Sequence, residues 1–413
     1  MEYAGPQGEA MSGAIDRCVH CGFCLPGCPT YVLTGEEMNS PRVRLLLMKE
    51  VLDGSLELDE ITPYIDPCLG CLSCVTSCPS GVQYGDLLTP FRMQAETLRE
   101  RPWIERLLRK VVLSTLPYPG RFRPLARLGQ FARPFRNLAP RALRGALDLL
   151  PNRVPSSLPL PELVPAQGSR RARVMLLRTC AQKVLDPEID MATVRVLARN
   201  GVEVVLPHDQ GCCGALSAHT GAGEQAKAFA KSVMKVLPND VDAIITNAAG
   251  CGSGIHEYPL WLAGEPEEEA AKTLSQKAMD ISAFLTDLGP IRPPDLPQPL
   301  KVAYHDACHL AHAQGVTIPP RELLGLIGNL DLVELANPEI CCGSAGTYNL
   351  EQPDNAAELG RRKAESVIST GAEAVASGNI GCLTQLGIHL KRQGYAIPTY
   401  HTVQLLDMAY QGA

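Results

Sequence analysis

Apolar and polar positions in the second half of the chain alternate between short apolar runs and stretches of helical period. An apolar strand is predicted from Val174 to Leu177, followed by a helix from Asp190 to Arg199. A strand from Val202 to Leu206, a helix from Gln225 to Val236 and a strand from Ala243 to Thr246 come next. The same order then recurs. Its elements are a strand at Val302 to Tyr304, a helix at Arg321 to Ile327, a strand at Leu330 to Leu335, a helix at Asn355 to Ile368 and a strand at Ala374 to Ala376. Strand–helix–strand alternation predicts parallel sheets, with ligands gathering at the carboxyl ends of the strands. The first half reads as helical. Asn39-Ser40-Pro41 opens a helix with Ser40 as N-cap, Arg42 to Leu52 continues it, and Gly54 stops it. Trp103, Ile104, Leu107, Leu108, Val111 and Val112 have the spacing of an amphipathic helix. Arg121 to Leu150 repeats that mixture with prolines as breaks, and Pro151 to Pro165 reads as a linker.

The cysteines change the picture. Cys18-Val-His-Cys21-Gly-Phe-Cys24-Leu-Pro-Gly-Cys28-Pro29 recurs as Cys68-Leu-Gly-Cys71-Leu-Ser-Cys74-Val-Thr-Ser-Cys78-Pro79. Each copy is C-x2-C-x2-C-x3-C-P, the bacterial ferredoxin run, in which three cysteines hold one 4Fe–4S cluster and the fourth reaches to the other. Two copies predict two such clusters. The crossed rule assigns Cys18, Cys21, Cys24 and Cys78 to one, and Cys68, Cys71, Cys74 and Cys28 to the other. Zinc ribbons pair two short C-x2-C knuckles and fit this spacing poorly. The 39 residues between Cys28 and Cys68 are too many for small hairpins, which implies a helical frame.

The other eight cysteines mark a duplication. The run ending in Cys180 matches the run ending in Cys308, Cys212-Cys213-Gly214 matches Cys341-Cys342-Gly343, and Gly250-Cys251 matches Gly381-Cys382. These pairs are separated by a nearly constant 128 to 131 positions. All of them follow predicted strands, so the four thiols of each copy are expected to converge. Four converging thiols are compatible with a further iron–sulfur centre, zinc, a redox disulfide or inert cysteines. Gly214 and Gly343 permit the tight turn that brings adjacent thiols to one centre. His208, His256, His305 and His309 lie nearby in sequence, more often hydrogen-bonding neighbours than ligands.

Composition bounds the rest. The 413 residues suit two or three domains. Residues 96 to 173 carry sixteen Lys/Arg against five Asp/Glu in a chain whose net charge is −6. That basic stretch suits acidic lipid or an acidic partner, or a solvated connector. Nothing points to nucleic acid. No apolar signal region and no apolar run of transmembrane length is visible, which places the thiols in a reducing cytoplasm. No G-x-G-x-x-G after a strand, no P-loop and no flavin signature is present, so no organic redox cofactor is expected on this chain.

The fold class expected is therefore α+β overall. It comprises a helical, ferredoxin-like domain of residues 1–95, a basic helical and Pro-rich connector of residues 96–170, and two α/β repeats with parallel sheets, residues 171–290 and 298–413. This order resembles the iron–sulfur subunit of bacterial glycolate oxidase (glycolate dehydrogenase). Cys18 to Tyr31, Asn39-Ser-Pro-Arg42, His305-Asp-Ala-Cys308-His309 and Cys341-Cys-Gly-Ser-Ala-Gly-Thr-Tyr348 carry the resemblance. It implies a hetero-oligomer with flavin-containing subunits that oxidise glycolate, and often D-lactate, with flavin on the partner only. It also implies onward transfer to a quinone or another respiratory acceptor, at the cytoplasmic face of the inner membrane. Related expectations are an anaerobic glycerol-3-phosphate or lactate dehydrogenase relay. The Cys-Cys-Gly repeats also resemble the catalytic subunit of heterodisulfide reductase. There the pattern ends in C-x-x-C, whereas Gly254 and Gln385 stand at those places here.

Overall fold

The computed structural model describes residues 2–138, 141–157 and 159–412; Met1, Ala139, Pro140, Leu158 and Ala413 lie outside it. Ser40 caps the helix Pro41–Leu52 as its sequence predicts, its hydroxyl accepting from the Val43 N–H at 3.4 Å. Between the two cysteine runs the chain forms the helices Pro29–Thr34, Pro41–Leu52 and Leu58–Ile65, and no strand occurs among the described residues before Leu163. Met11, Leu45, Met48, Ile61, Leu87 and Phe91 form the core of this N-terminal unit.

The first sheet is built from β1 (Leu163–Val164), β2 (Ala172–Leu177), β3 (Val202–Val205), β4 (Ala243–Thr246) and β5 (Ala278–Asp280). The second contains β6 (Leu300–Tyr304), β7 (Leu330–Glu334), β8 (Ala374–Ser377) and β9 (Thr399–His401). Their orders are β1-β3-β2-β4-β5 and β7-β6-β8-β9. Every pairing is parallel except β1 with β3. The duplication extends to register: Val174 faces Val204 and Ala243, and Val302 faces Leu332 and Ala374. The central strands are buried on both faces, as parallel strands covered by helices must be.

Three features depart from the sequence expectations. The segment Pro151 to Pro165 ends in the edge strand β1, because the last residues of the linker run antiparallel to β3. β5 and β9 are unanticipated, each only three residues long and followed at once by a helix, Ile281–Leu288 and Thr402–Gln411. After β6 a π-helical turn, His309–Ala313, precedes the α-helix Ile318–Gly325, which starts three residues earlier than its apolar period suggests because Pro319 and Pro320 suit a first helical turn.

The repeats share one core. Val174, Leu197, Val204, Val302, Tyr304 and Leu405 belong to a single buried cluster. The helix Glu188–Arg199 of the first repeat packs on Thr402–Gln411 of the second, and Ile281–Leu288 packs on Ile318–Gly325. Arg195 Nε meets both carboxylate oxygens of Asp407 at 3.1 and 3.0 Å across this junction. Leu405 is wholly buried here. Leu405→Ala is therefore expected to cost about 2–5 kcal/mol and to raise amide hydrogen exchange in β2 and β4 as well as in β6 and β8. Loss of protection confined to β6 and β8 would mean two independent cores.

Candidate functional site

Both cysteine loops curl in the same way. His20 and Gly22 in the first, and Gly70 and Leu72 in the second, have positive φ. These are equivalent positions, one before and one after the second cysteine of each run. His20 and Leu72 adopt the left-handed region without being glycine, a conformation that costs roughly 1–3 kcal/mol and persists where the surroundings impose it. The curl turns backbone donors toward sulfur, and the Gly70 N–H lies 3.4 Å from Cys68 Sγ. Arg42 Nη1 donates to the His20 carbonyl at 2.9 Å and holds the first loop on the helix Pro41–Leu52.

A pocket is lined by Cys18, Cys21, Cys24, Cys74 and Cys78. Cys28 is not among its lining residues; it lies in the electrostatic surroundings of Cys71 and Cys74, and of Cys24 as well. Burial pushes the Cys24 thiol up to about 11 and those of Cys71 and Cys74 well above their ordinary value. Cys68 is the exception. Burial opposes its ionisation, but the Arg44 and Arg92 guanidinium groups prevail and its thiol sits below the usual range. Arg44 is itself buried, donating to the Tyr64 carbonyl at 2.6 Å and Thr30 Oγ1 at 2.8 Å, with Nη1 3.9 Å from Cys28 Sγ. Two thiol groups on curled loops, with donors and cations aimed at sulfur, fit iron–sulfur clusters, which need deprotonated thiolates.

In both repeats the four cysteines meet at the carboxyl ends of the strands. In the first, Cys180 Sγ is 3.6 Å from Cys212 Sγ, and Cys213 Sγ is 3.2 Å from Cys251 Sγ. In the second, Cys308 and Cys341 lie 4.0 Å apart, and ligand atoms of Cys342, Cys382 and His305 all fall within 4.8 Å of one another. Gly214 and Gly343 have φ of +85° and +86°. A Cβ on Gly214 would come within 3.0 Å of the Ala226 carbonyl in the helix Gly223–Lys235, and one on Gly343 within 2.7 Å of the Ala356 carbonyl in the helix Pro353–Ser369, so glycine is required at both turns. The Gly214 and Gly343 N–H groups each lie 3.4 Å from the sulfur two residues earlier, that of Cys212 or Cys341. The hydrogen bond from Cys180, and then that from Cys213, holds the Cys212 thiol well below its ordinary value, and the same contact raises Cys180. All eight repeat cysteines are buried and free.

The histidines divide. His208 is exposed beside Glu162 and stands apart from the thiols. Burial lowers the His256 ring below its ordinary value at the end of the helix Ala249–His256. His309 stacks on His219 at 5.1 Å, and its Nδ1 meets Ser253 Oγ at 2.7 Å, joining the two repeats. Burial, and then the neighbouring His219, holds His309 down to about 3. His219 Nε2 in turn meets Glu257 Oε1 at 3.1 Å. His219, Glu257, Ser253 and Arg44 carried no sequence signal, since none belongs to a spaced motif.

The second cysteine loop rests on the second repeat. Leu69, Cys71, Cys308, Cys341 and Tyr348 share one buried cluster. Thr76 Oγ1 meets His312 Nδ1 at 2.8 Å, and the Tyr348 hydroxyl donates to the Pro67 carbonyl at 3.1 Å. A cavity of about 650 Å³ lies beneath the connector helices and reaches Cys68 on one side and Cys180, Cys212, Cys213 and Cys251 on the other. Arg109 spans this junction, paired with Glu96 at 3.3 Å and Glu351 at 2.6 Å.

The chain matches the 4Fe-4S dicluster domain over residues 14–82. It matches the cysteine-rich domain called CCG twice, over residues 174–256 and 302–387. It is 36% identical over 402 residues to the glycolate oxidase iron-sulfur subunit of Escherichia coli, covering 96% of this chain and 94% of that protein. The probable glycolate oxidase iron-sulfur subunit of Bacillus subtilis is 35% identical over 422 residues, covering 97% and 94%. Lactate utilization protein A of Oceanobacillus iheyensis is 31% identical over 243 residues, covering 58% of this chain and 98% of that one. With iron–sulfur ligand loops, paired CCG repeats and similarity over almost its whole length, the chain belongs to the family of glycolate oxidase iron–sulfur subunits, an electron-relaying component of an oxidoreductase.

Proposed function

We propose that this chain is the electron-transfer subunit of a glycolate dehydrogenase complex. It takes electrons from a flavoprotein partner that oxidises glycolate, and D-lactate as well, to the 2-oxo acid, and passes them toward the respiratory chain. The contact of Cys71 with Cys308 and Cys341 carries this proposal, because it joins the second cysteine loop directly to the thiols of the second repeat. Clusters bound to the two N-terminal loops supply acceptance and donation of single electrons. Cys18, Cys21, Cys24 and Cys78 hold one, and Cys28, Cys68, Cys71 and Cys74 the other. Arg44 and Arg92 place positive charge beside Cys68 and favour the reduced, more negative state. His312 and Tyr348 fix the second loop against its neighbour. From there the path runs to Cys308 and Cys341, and through the His309–His219 stack to the first repeat. The cavity beside the first repeat is apolar along the connector and ends at thiols, which suits a quinone as acceptor.

We also propose that the connector lies on an acidic bilayer. No helix among the described residues is long and apolar enough to cross one. Trp103, Ile104, Leu107, Leu128, Phe131 and Phe135 are nonetheless exposed on neighbouring short helices, among the arginines of the basic stretch. Apolar groups flanked by cations suit the headgroup boundary of a membrane.

Anaerobically purified complex is expected to carry about eight irons in the two N-terminal centres. Cys28→Ser should perturb the paramagnetic signal of the centre held by Cys68, Cys71 and Cys74; an effect confined to the other centre would reverse the ligand assignment. Arg44→Met should shift that same centre to more negative potential, by on the order of tens of millivolts, in a redox titration followed by paramagnetic resonance. An equal shift in both centres, or none, would remove Arg44 from its role. Trp103→Glu with Phe131→Glu should weaken co-sedimentation with phosphatidylglycerol vesicles about tenfold or more, with glycolate oxidation by an artificial acceptor unchanged. Undiminished co-sedimentation would point to a protein partner on that face.

A further inference from the structure

The two repeats share register, turn glycines and four cysteines, yet they differ at one buried position. Leu177 ends β2 in the first repeat, where it is wholly enclosed by apolar neighbours. The equivalent residue of the second repeat is His305, directly after β6. His305 has no solvent exposure, and among the described residues neither Nδ1 nor Nε2 has a hydrogen-bond partner. Its backbone is held by the Ala376 carbonyl, which accepts from the His305 N–H at 2.9 Å and extends the parallel ladder. A buried imidazole with both nitrogens unsatisfied is strongly disfavoured unless something absent from the protein chain completes it.

What it faces are thiols. Cys342 and Cys382 are both buried, and their sulfurs and a ring nitrogen of His305 all lie within 4.8 Å of one another. Asn379 Nδ2 donates to Cys382 Sγ at 3.4 Å. The buried ammonium of Lys363 donates to the Asn337 carbonyl at 2.7 Å and brings positive charge toward Cys341 and Cys342. Two thiolates and a neutral imidazole around one point, with a cation nearby to balance charge, make a donor set for a thiophilic first-row metal. The first repeat cannot build it, because Leu177 offers no donor.

We infer that His305, Cys342 and Cys382 ligate a metal centre in the second repeat through one imidazole and two thiolates. The metal is ferrous iron, alone or within a cluster, or Zn²⁺, since both accept this donor set. If it is iron, the imidazole has a further consequence, one that rests on the relay proposed above. A neutral nitrogen in place of an anionic thiolate raises a centre's reduction potential. The second repeat's centre then has a higher potential than an all-thiolate centre of the same type would have in that place.

The test uses the full-length chain, purified anaerobically and loaded separately with ferrous iron plus sulfide or with Zn²⁺, as wild type, His305→Leu and His305→Cys. Pulsed paramagnetic resonance with 15N-histidine labelling reads the iron arm, and X-ray absorption at the zinc edge reads the other. Wild type should show a directly bound imidazole nitrogen in at least one arm. His305→Leu should lose that nitrogen and about one metal centre per chain. His305→Cys should keep the metal and lose the nitrogen. The two N-terminal signals should survive in every variant, which separates this outcome from any failure of the relay itself. No bound nitrogen in wild type in either arm, or an unchanged ligand shell in His305→Cys, would overturn the proposal, even if His305→Leu fails to fold.

Discussion

The structure depends on the packing of the second cysteine loop against the second repeat. Leu69 and Cys71 bury themselves against Cys308, Cys341 and Tyr348, more than 200 residues away in sequence. Once that contact exists, the helical N-terminal unit can no longer stand apart. Arg92 donates to the carbonyl of Cys68 at 2.6 Å and to that of His219 at 3.2 Å, tying the same unit to the first repeat. Gly221 sits so close that a Cβ there would lie 2.7 Å from the Arg92 carbonyl. The thiol groups thus share one interior rather than decorating three separate domains.

That arrangement sets an electrostatic problem. Sulfur ligands bind metal as anions, and burial favours the neutral thiol. The chain answers with buried or half-buried cations and backbone donors. Arg44 and Arg92 serve Cys68, Lys363 lies near Cys341 and Cys342, and turn N–H groups reach Cys68, Cys212 and Cys341. The connector follows the same logic at larger scale. Arg109 enters the interior to pair with Glu96 and Glu351, and Arg392 and Arg136 pair with the buried Asp148. Arg106, Arg121, Arg127 and Arg144 are exposed, as are the aromatic residues Trp103, Phe131 and Phe135.

The duplication shows how two copies of one scaffold divide their work. Strand register and turn geometry are retained because they bring the thiols together. The residue that closes the central strand is free to change, since its side chain points into the site without altering the sheet. A leucine there leaves the first repeat with thiols alone, while a histidine gives the second a nitrogen. The shared core between the repeats, sealed by Arg195 and Asp407, holds the two sites in fixed relation.

Much of this was written locally. Cysteine spacing announced the ligand loops, since curling around a cluster needs residues at fixed short intervals. Apolar period located the strands β2, β3, β4, β6, β7 and β8, and the constant offset revealed the duplication. Ser40-Pro41 marked its helix because a cap acts on the next turn. Short edge elements escaped. β1, β5 and β9 have two or three residues each, too few for a period, and exist because a neighbouring strand offers hydrogen bonds. The sequence by itself determined which residues could ligate and that they would fall at strand ends. Only the tertiary structure decided that Cys71 meets Cys308, that His219 stacks on His309 and that, among the described residues, His305 is left without a hydrogen-bond partner. Those are contacts between distant segments, and no local spacing encodes them.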